Sequence, residues 1–284
     1  MRVLLFGKTG QVATEILRHA PDDVTVTSLG REAADLMQPG DCAEAVLSAE
    51  VDAVVNAAAW TAVDKAESEE DAARVVNGEA PFAMALAAAR KGVPFVHVST
   101  DYVFDGQGTD AFTPESPVAP RNAYGRTKLL GEEGVRHAGG RHVILRTSWV
   151  FSAHGANFVK TMLRLGRERE AVDVVDDQVG GPTPAAAIAD ACLGIARALT
   201  DGAEGGTHHL SGSPDVSWAD FARAIMEEAG LPRRVNPIPT SAWPTLAKRP
   251  LNSRMSGASL ERAFGIARPD WRAGLRDVLR ELGA

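Results

Sequence analysis

Short apolar runs alternate with longer amphipathic stretches through the first half of the chain, and this alternation restricts the fold more than any other feature. The runs lie at residues 2–6, 24–29, 52–59, 94–98 and 143–146. They have the length of buried strands, while most of the stretches between them have helical length. Strands that alternate with helices predict a parallel sheet covered by helices, with ligands at the carboxyl ends of the strands. The sequence therefore predicts an α/β fold, a doubly wound parallel sheet of the Rossmann type.

This alternation weakens after Trp149, and Gly and Pro become frequent between the remaining helical stretches. We expect residues 1–150 to form the Rossmann domain and residues 151–284 to form mainly a smaller α/β lobe that closes over the edge of the sheet. Some later segments, at about 170–210, are expected to interleave with the first domain. A chain of 284 residues is long enough for two such units.

The first apolar run ends in a glycine turn, Gly7-Lys8-Thr9-Gly10, which leads through Gln11 and Val12 into an amphipathic stretch. A strand, a glycine turn and a helix form the geometry in which backbone N–H groups at a helix N-terminus bind a pyrophosphate. The turn therefore predicts a dinucleotide site. The alternative is that the glycines only shape the turn.

The second run ends at Gly30-Arg31. An acidic side chain at such a strand end would bind the ribose hydroxyls of NAD, whereas an arginine suits the 2′-phosphate of NADP. Arg31 therefore favours NADPH, and NADH is the alternative cofactor. A solvated loop arginine is the competing interpretation.

Three polar residues have the chemistry of a proton donor for a ketone. Tyr124 and Lys128 are four residues apart, so on a helix they share one face, and Thr100 ends the run at 94–98. A nearby ammonium stabilises a phenolate, so we expect Lys128 to lower the pKa of Tyr124. The alternative is that both side chains only support helix packing.

Charge and composition exclude several functions. A formal net charge of -7 argues against a nucleic-acid partner, because phosphate binding needs an excess of Lys and Arg. The apolar run at 2–6 is too short to span a membrane, and two cysteines imply no disulfide framework. The histidines have no metal-ligand spacing, so no metal site is predicted. A cytoplasmic protein that binds small molecules is expected.

A late cluster of Lys248, Arg249 and Arg254, with Asn252 and Ser253 between them, lies in a proline-broken segment. Such a cluster in an acidic chain is suited to a diphosphate. A solvated turn is the alternative.

Several motifs together resemble the dTDP-4-dehydrorhamnose reductases, a branch of the extended short-chain dehydrogenases. The resemblance runs nearly end to end and includes Leu4-Leu5-Phe6-Gly7-Lys8-Thr9-Gly10-Gln11-Val12, Thr61-Ala62-Val63-Asp64-Lys65-Ala66-Glu67, Ser99-Thr100-Asp101-Tyr102-Val103-Phe104, Tyr124-Gly125-Arg126-Thr127-Lys128 and Arg249-Pro250-Leu251-Asn252-Ser253-Arg254. It implies that NAD(P)H reduces the 4-keto group of dTDP-4-dehydro-β-L-rhamnose. Some relatives dimerise around a magnesium ion, so a role for Mg²⁺ stays open, as does the choice between a monomer and a homodimer.

The resemblance also implies roles for individual residues. Tyr124 would be the proton donor, Lys128 would bind the nicotinamide ribose, and Thr100 would assist at the sugar. The cofactor would contact Gly7, Gly10, Gln11, Val12, Arg31, Asp35, Leu36, Ala57, Ala59, Trp60, Thr61, Val98, Tyr124 and Lys128. The nucleotide sugar would contact Thr100, Asp101 and Trp149 at the edge of the sheet, and Arg249 and Asn252 in the smaller lobe.

The chain departs from the family pattern at Ala13, where a third glycine is usual, and at Trp60, where a polar residue is common. Two other functions remain as alternatives. Nucleotide-sugar dehydratases and epimerases belong to the same superfamily, but the dehydratases carry Glu where this chain has Tyr102. A non-catalytic NADP-binding regulatory subunit could keep the same fold, and only turnover would distinguish it.

Overall fold

The computed structural model describes residues 1–284. Its strands and helices run in the order β1 (Arg2–Phe6), α1 (Gln11–His19), β2 (Thr25–Leu29), α2 (Pro39–Ser48), β3 (Ala53–Asn56), α3 (Val63–Ala66), α4 (Glu70–Arg74), α5 (Ala80–Lys91), β4 (Phe95–Thr100), α6 (Ala123–His137), β5 (His142–Thr147), β6 (Val150–Phe151), α7 (Phe158–Glu168), β7 (Ala171–Val175), β8 (Val179–Gly180), β9 (Thr183–Pro184), α8 (Ala185–Thr200), β10 (Gly206–Leu210), β11 (Val216–Ser217), α9 (Trp218–Glu228), β12 (Arg234–Ile238), β13 (Asn252–Ser253), α10 (Ala258–Phe264) and α11 (Trp271–Leu282).

Six parallel strands form the main sheet, in the order β10-β5-β4-β3-β1-β2. The chain runs from β1 outward to β2 and then returns to the other side of β1 with β3. This reversal leaves a crevice at the carboxyl ends of β1 and β3, which is where open α/β sheets bind their ligands. The predicted fold class is confirmed.

Helices cover both faces of this sheet. One face packs on α1 and α8 through side chains such as Ile16 and Ile188, and the other packs on α2, α5 and α6 through side chains such as Val46, Met84 and Val135. Strands buried on both faces read as continuous apolar runs, which explains the pattern in the sequence.

A smaller lobe has its own core. In the lobe β7 pairs with β12, β8 pairs with β11 and β13, and β6 pairs with β9. Helices α7, α9 and α11 enclose a core around Phe151, Val159, Phe221 and Trp271. The chain thus leaves the main sheet after β5 and returns to it with α8 and β10.

The stretch between β3 and β4 contains α3, α4, a π-helical turn at Val75–Glu79, and α5, which is followed by Gly92 with φ 75°. The sequence predicted no strand at β10, although segments at about 170–210 were expected to interleave with the first domain. Cys42 and Cys192 are buried as free thiols. None of the helices is long and apolar enough to cross a membrane.

Candidate active site

The glycine turn after β1 lies at the reversal point of the sheet. Gly7 has φ 121°, and a Cβ at this position would be 3.2 Å from the Cβ of Ala13. Gly10 is the N-cap of α1 and offers no side chain to the first N–H groups of the helix, whose first turn has no acidic residue. Unsatisfied N–H groups at the positive end of a helix dipole are a binding site for an anion. The turn therefore fits the pyrophosphate of a dinucleotide.

The side chain of Gln11 points away from this turn and joins α1 to the lobe. Its Oε1 accepts hydrogen bonds from Ser152 Oγ at 3.2 Å and Asn157 Nδ2 at 2.9 Å, and its Nε2 donates to the carbonyl of Val150 at 3.4 Å. Gln11 is thus able to bind a phosphate only through its backbone. Val12 is buried in the core beneath it.

The end of β2 presents Arg31 to solvent, next to the turn. The neighbouring carboxylate of Glu32 is held by Lys8 Nζ at 2.8 Å, so its charge is already paired. Asp35 and Leu36 follow as half-buried residues, and Asp35 Oδ1 accepts the Met37 N–H at 3.0 Å. The predicted 2′-phosphate position therefore has one unshared cation, Arg31.

The segment that follows β3 is fixed by a residue that the sequence did not reveal. Asn77 lies buried in the π-helical turn; its Oδ1 accepts the Trp60 N–H at 2.8 Å and its Nδ2 donates to the Trp60 carbonyl at 3.1 Å and to Thr127 Oγ1 at 3.2 Å. A side chain at Gly131 would collide with the carbonyl of Asn77. The turn thereby ties the stretch that contains Ala57, Ala59, Trp60 and Thr61 to α6.

Thr100, at the end of β4, and Tyr124, in the first turn of α6, come together. Asn122 caps α6 by accepting the Gly125 N–H at 2.8 Å, and Tyr124 stands edge-on to the ring of Tyr102 at 5.3 Å. The Thr100 hydroxyl donates to Asp101 Oδ1 at 3.1 Å and accepts the Tyr102 N–H at 3.2 Å. These bonds fix the hydroxyl at the carboxyl end of the sheet.

The pKa of Tyr124 does not follow the prediction. Burial raises the pKa of this phenol to about 12; the Thr100 hydroxyl opposes the rise, and the charge of Asp101 adds to it. Lys128 is not among the groups that set this pKa; its Nζ is bonded to the carbonyl of Val98 at 2.8 Å and to His97 Nε2 at 3.2 Å. The expected lowering of the Tyr124 pKa by Lys128 is therefore wrong for the ligand-free chain. Tyr124 is a fully protonated phenol at neutral pH.

Lys128 is 1% exposed and forms no ion pair with a carboxylate. Burial lowers the pKa of Lys128 to about 8, although the charge of Glu132 raises it. Lys128 therefore loses its positive charge at a pH only slightly above neutral, which is the kind of perturbed pKa found at functional sites.

Asp101 connects the sheet to the lobe. Its Oδ2 accepts a hydrogen bond from Ser253 Oγ, on β13, at 2.5 Å. Burial raises the pKa of Asp101 to about 6, against the hydrogen bonds from Ser253 and Thr100. Asn252, beside Ser253, is also buried, and its amide bonds the carbonyls of Gln107 and Asp110. The geometry gives Asn252 a role in holding the chain rather than in lining the site.

A cavity of about 310 Å³ adjoins Tyr102. Its lining is mainly polar and includes Tyr102, Arg121, Asn122, Trp243, Lys248 and Arg249. Arg249 bonds Asp64 Oδ2 at 2.5 Å through Nη2, while its Nη1 is buried without a partner. Arg254 instead donates to Asn252 and does not line the cavity. Of the predicted basic cluster, Lys248 and Arg249 thus meet at one cavity, together with Arg121.

Trp149 is the one non-glycine residue with a positive φ, 50°. Its ring stacks on Trp218 of α9 with 3.6 Å between centroids. A backbone conformation of this kind is strained and persists only where the surrounding contacts hold it in place, which is frequent at functional sites. Trp149 is half-buried at the junction between the sheet and the lobe.

Three carboxylates on α1, α8 and α11 form ion pairs around Arg18, His19 and His154. Glu15 and Glu281 lie among Arg18 and His154, and Asp190 bonds His19. No group of three or more His, Cys, Asp and Glu side chains is arranged to hold a metal ion.

Known proteins resemble this chain over its whole length. The family model described as RmlD substrate binding domain matches residues 1–284. The dTDP-4-dehydrorhamnose reductase of Burkholderia thailandensis is 45% identical, with 99% of each chain covered. A crystal structure of a dTDP-4-dehydrorhamnose reductase from Clostridium acetobutylicum superposes with a TM-score of 0.94 at 34% identity, covering 100% of both chains. The Bacillus anthracis dTDP-4-dehydrorhamnose reductase, solved in complex with NADP, gives a TM-score of 0.92 at 32% identity, covering 99% of both chains.

Proposed function

Since the chain belongs to the dTDP-4-dehydrorhamnose reductase family, we propose that it uses NADPH to reduce the 4-keto group of dTDP-4-dehydro-β-L-rhamnose, or of a closely related dTDP-4-keto-6-deoxyhexose. With the first substrate the product is dTDP-L-rhamnose. The observation that supports the proposal is that Tyr124 interacts with Thr100 at the carboxyl end of β4, with Lys128 bonded to the carbonyl of Val98 on the same strand and a cavity that contains basic side chains next to Tyr102.

The cofactor site is supported by the uncapped N-terminus of α1 and the side-chain-free turn at Gly7 and Gly10. Residues 57–61, which follow β3, would form one wall of this site, and the half-buried Val98 of β4 would contribute to it. Arg31 is the cation available for a 2′-phosphate. NADPH bound here supplies the hydride for the 4-keto carbon.

The chain's own residues supply the proton. Tyr124 is a neutral phenol with a pKa of about 12, and an alkoxide is a stronger base than the phenolate, so the proton moves from Tyr124 to the former keto oxygen as the carbonyl carbon is reduced. When the substrate binds, the Thr100 hydroxyl would rotate away from Asp101 Oδ1 and donate its one proton to the same oxygen, so that it stabilises the charge that develops there. Solvent then returns a proton to Tyr124.

The sugar nucleotide is placed by residues of both units. Asp101 is bonded to Thr100, and Trp149 follows β5, the strand that pairs with β4. The cavity with Arg121, Lys248 and Arg249 is suited to a diphosphate because guanidinium groups bind phosphate oxygens in pairs. We assign cofactor binding mainly to residues 1–150, with α8 and β10 completing that sheet, and sugar-nucleotide binding mainly to residues 151–284.

The direct test follows the absorbance of NADPH in the presence of enzymatically generated ketosugar, with ketosugar omitted as the control. The expected result is one NADPH consumed for each dTDP-6-deoxyhexose formed, identified by mass. Binding of NADPH without any oxidation would favour the regulatory subunit instead. We also propose that the enzyme acts in the cytoplasm as a monomer or a homodimer. Sedimentation of the purified protein would determine the oligomeric state.

A further inference from the structure

Two polar side chains, those of Asn56 and His97, lie directly behind Lys128. His97, on β4, is completely buried between Asn56 on β3 and Lys128 on α6. The distance from Asn56 Nδ2 to His97 Nδ1 is 3.2 Å, and the distance from Lys128 Nζ to His97 Nε2 is also 3.2 Å. Neither Asn56 nor His97 was singled out by the sequence as part of the site.

The backbone fixes the direction of these hydrogen bonds. The Ala58 N–H donates to Asn56 Oδ1 at 3.1 Å, so the amide nitrogen of Asn56 must face the ring and donate to it. His97 Nδ1 is then an acceptor, and a neutral imidazole carries its one proton on Nε2. That proton points at Lys128 Nζ. Both bonds of His97 can exist together only if Lys128 accepts, which a neutral amine does and an ammonium cannot.

No other group near Lys128 reverses the preference of Lys128 for its neutral form. Glu132, one turn further along α6, is engaged by Arg146 and Arg136. Asp101, beyond the end of β4, is bonded to Thr100 and Ser253.

On the neighbouring strand β5, His142 bonds the carbonyl of Gly140. Burial holds the pKa of His97 well below its ordinary value, and any charge on Lys128 lowers it further, so the ring stays neutral in either form of Lys128. The lowered pKa of Lys128 agrees with the hydrogen-bond pattern.

We propose that His97, oriented by Asn56, is a positioning residue that favours the neutral form of Lys128 and thereby sets the pH above which the site loses its ammonium. The proposal rests on the proposed function in taking Lys128 as the residue that binds the nicotinamide ribose. A ribose hydroxyl binds an ammonium better than an amine, so NADPH affinity is expected to fall as the pH rises through the titration of Lys128.

Two variants change the acceptor that Lys128 meets. In His97→Gln the amide oxygen can accept from an ammonium. In Asn56→Asp the carboxylate accepts from Nδ1–H, which moves the ring proton away from Nε2 and makes Nε2 an acceptor. We expect both to shift the loss of NADPH affinity upward by about one pH unit, the effect of one hydrogen bond. His142→Gln, a nearby histidine without contact to Lys128, is the matched control and should leave the profile unchanged.

The affinity is measured by NADPH fluorescence across neutral and alkaline pH, without ketosugar, alongside the melting temperature of each variant. Unshifted profiles in well-folded His97→Gln and Asn56→Asp would overturn the proposal. This readout does not depend on turnover, so absence of ketosugar reduction in the wild type would contradict the proposed function and leave this test standing.

The tautomer itself can be observed in the wild-type protein. Nitrogen–proton correlation spectra of protein labelled in its histidine rings distinguish Nδ1–H from Nε2–H, with the ring of His97 assigned by its contacts to Lys128. We expect the proton on Nε2 at a pH above the Lys128 pKa of about 8, where Lys128 is a neutral amine. A proton on Nδ1 would overturn the proposal, even if both variants failed to fold.

Discussion

Thr100, Asp101 and Lys128 form the floor of the site and are 5%, 3% and 1% exposed, whereas Trp243 and Leu246, in the loop beside the adjoining cavity, are 59% and 70% exposed. Each of the three floor residues has its polar atoms bonded inside the chain. In the loop region, by contrast, Arg249 Nη1 has no partner, and Lys248 is exposed.

This difference separates two tasks. Groups that stabilise developing charge act best when they are already oriented in a site that excludes water, because they then need no rearrangement during the reaction. Groups that recognise a charged ligand gain their partners only on binding. We therefore expect substitutions in the floor to reduce turnover and substitutions around the cavity to reduce affinity. The predictions below test that division, beginning with the largest effect.

Tyr124→Phe removes the proton donor and keeps the ring that packs against Tyr102. Turnover should fall by about 10²–10⁴, the usual contribution of a general acid, while the affinity for NADPH changes little. Steady-state kinetics and a binding titration on one preparation measure both quantities. An equal loss in affinity and turnover would show that the floor residues also bind the cofactor, and it would contradict the division between residues for turnover and residues for affinity.

Glu132→Gln tests the buried ion pair between Glu132 and Arg146. Burial alone would raise the pKa of Glu132, but hydrogen bonds and charge from Arg146 keep it below its ordinary value, so the carboxylate is ionised. Loss of one partner of a buried ion pair costs about 3–5 kcal/mol of unfolding free energy. Denaturant unfolding measures this, with Glu168→Gln, in an exposed pair with Arg164, as the control. A cost as small as that of the control would contradict the account.

Arg249→Met tests the cavity. The variant keeps an apolar stem of similar length and loses the guanidinium, so the KM for the ketosugar should rise on the order of tenfold with kcat nearly unchanged. Arg262→Met, on the exposed surface of α10, should behave as the wild type. A fall in kcat with an unchanged KM would place Arg249 with the floor residues instead.

Arg31→Ala should have the smallest effect, because Arg31 is exposed and screened by solvent. The KM for NADPH is expected to rise several-fold, on the order of one charge-assisted hydrogen bond, while the KM for NADH stays the same. Kinetics with both cofactors provide the comparison. Equal losses with NADPH and NADH would contradict the assignment of Arg31 to the 2′-phosphate.

The main sheet could be predicted because its strands are short, buried on both faces and separated by helices, and the glycine turn marked its first crossover. Interleaving of the segments at about 170–210 was expected, but the strand β10 and its pairing with β5 were not, since this pairing joins residues more than fifty positions apart. The π-helical turn around Asn77 was also missed, because it is fixed by contacts to Trp60 and Thr127 and has no pattern of its own.

The placement of Tyr124 and Lys128 on one helix was predictable, because both belong to a single helical stretch of the sequence. The charge states were not, because they depend on residues from different strands. His97 and Asn56 meet Lys128 only when β3, β4 and α6 pack together, and the pKa of Tyr124 is governed by burial instead of by Lys128. A sequence therefore reveals which chemical groups are present more readily than which of them are charged.

The central claim is that hydride from NADPH reaches the 4-keto carbon of a dTDP-linked sugar while Tyr124 protonates the oxygen. The most direct measurement uses NADPH deuterated in turn at each hydrogen of the reactive nicotinamide carbon, with enzymatically generated dTDP-4-keto-6-deoxyhexose. We predict that one of the two labelled cofactors transfers a single deuterium to C4 of the product, seen by mass and NMR spectra, and that the transfer nearly disappears in Tyr124→Phe. Product without deuterium from either cofactor, or deuterium at another carbon, would contradict the account.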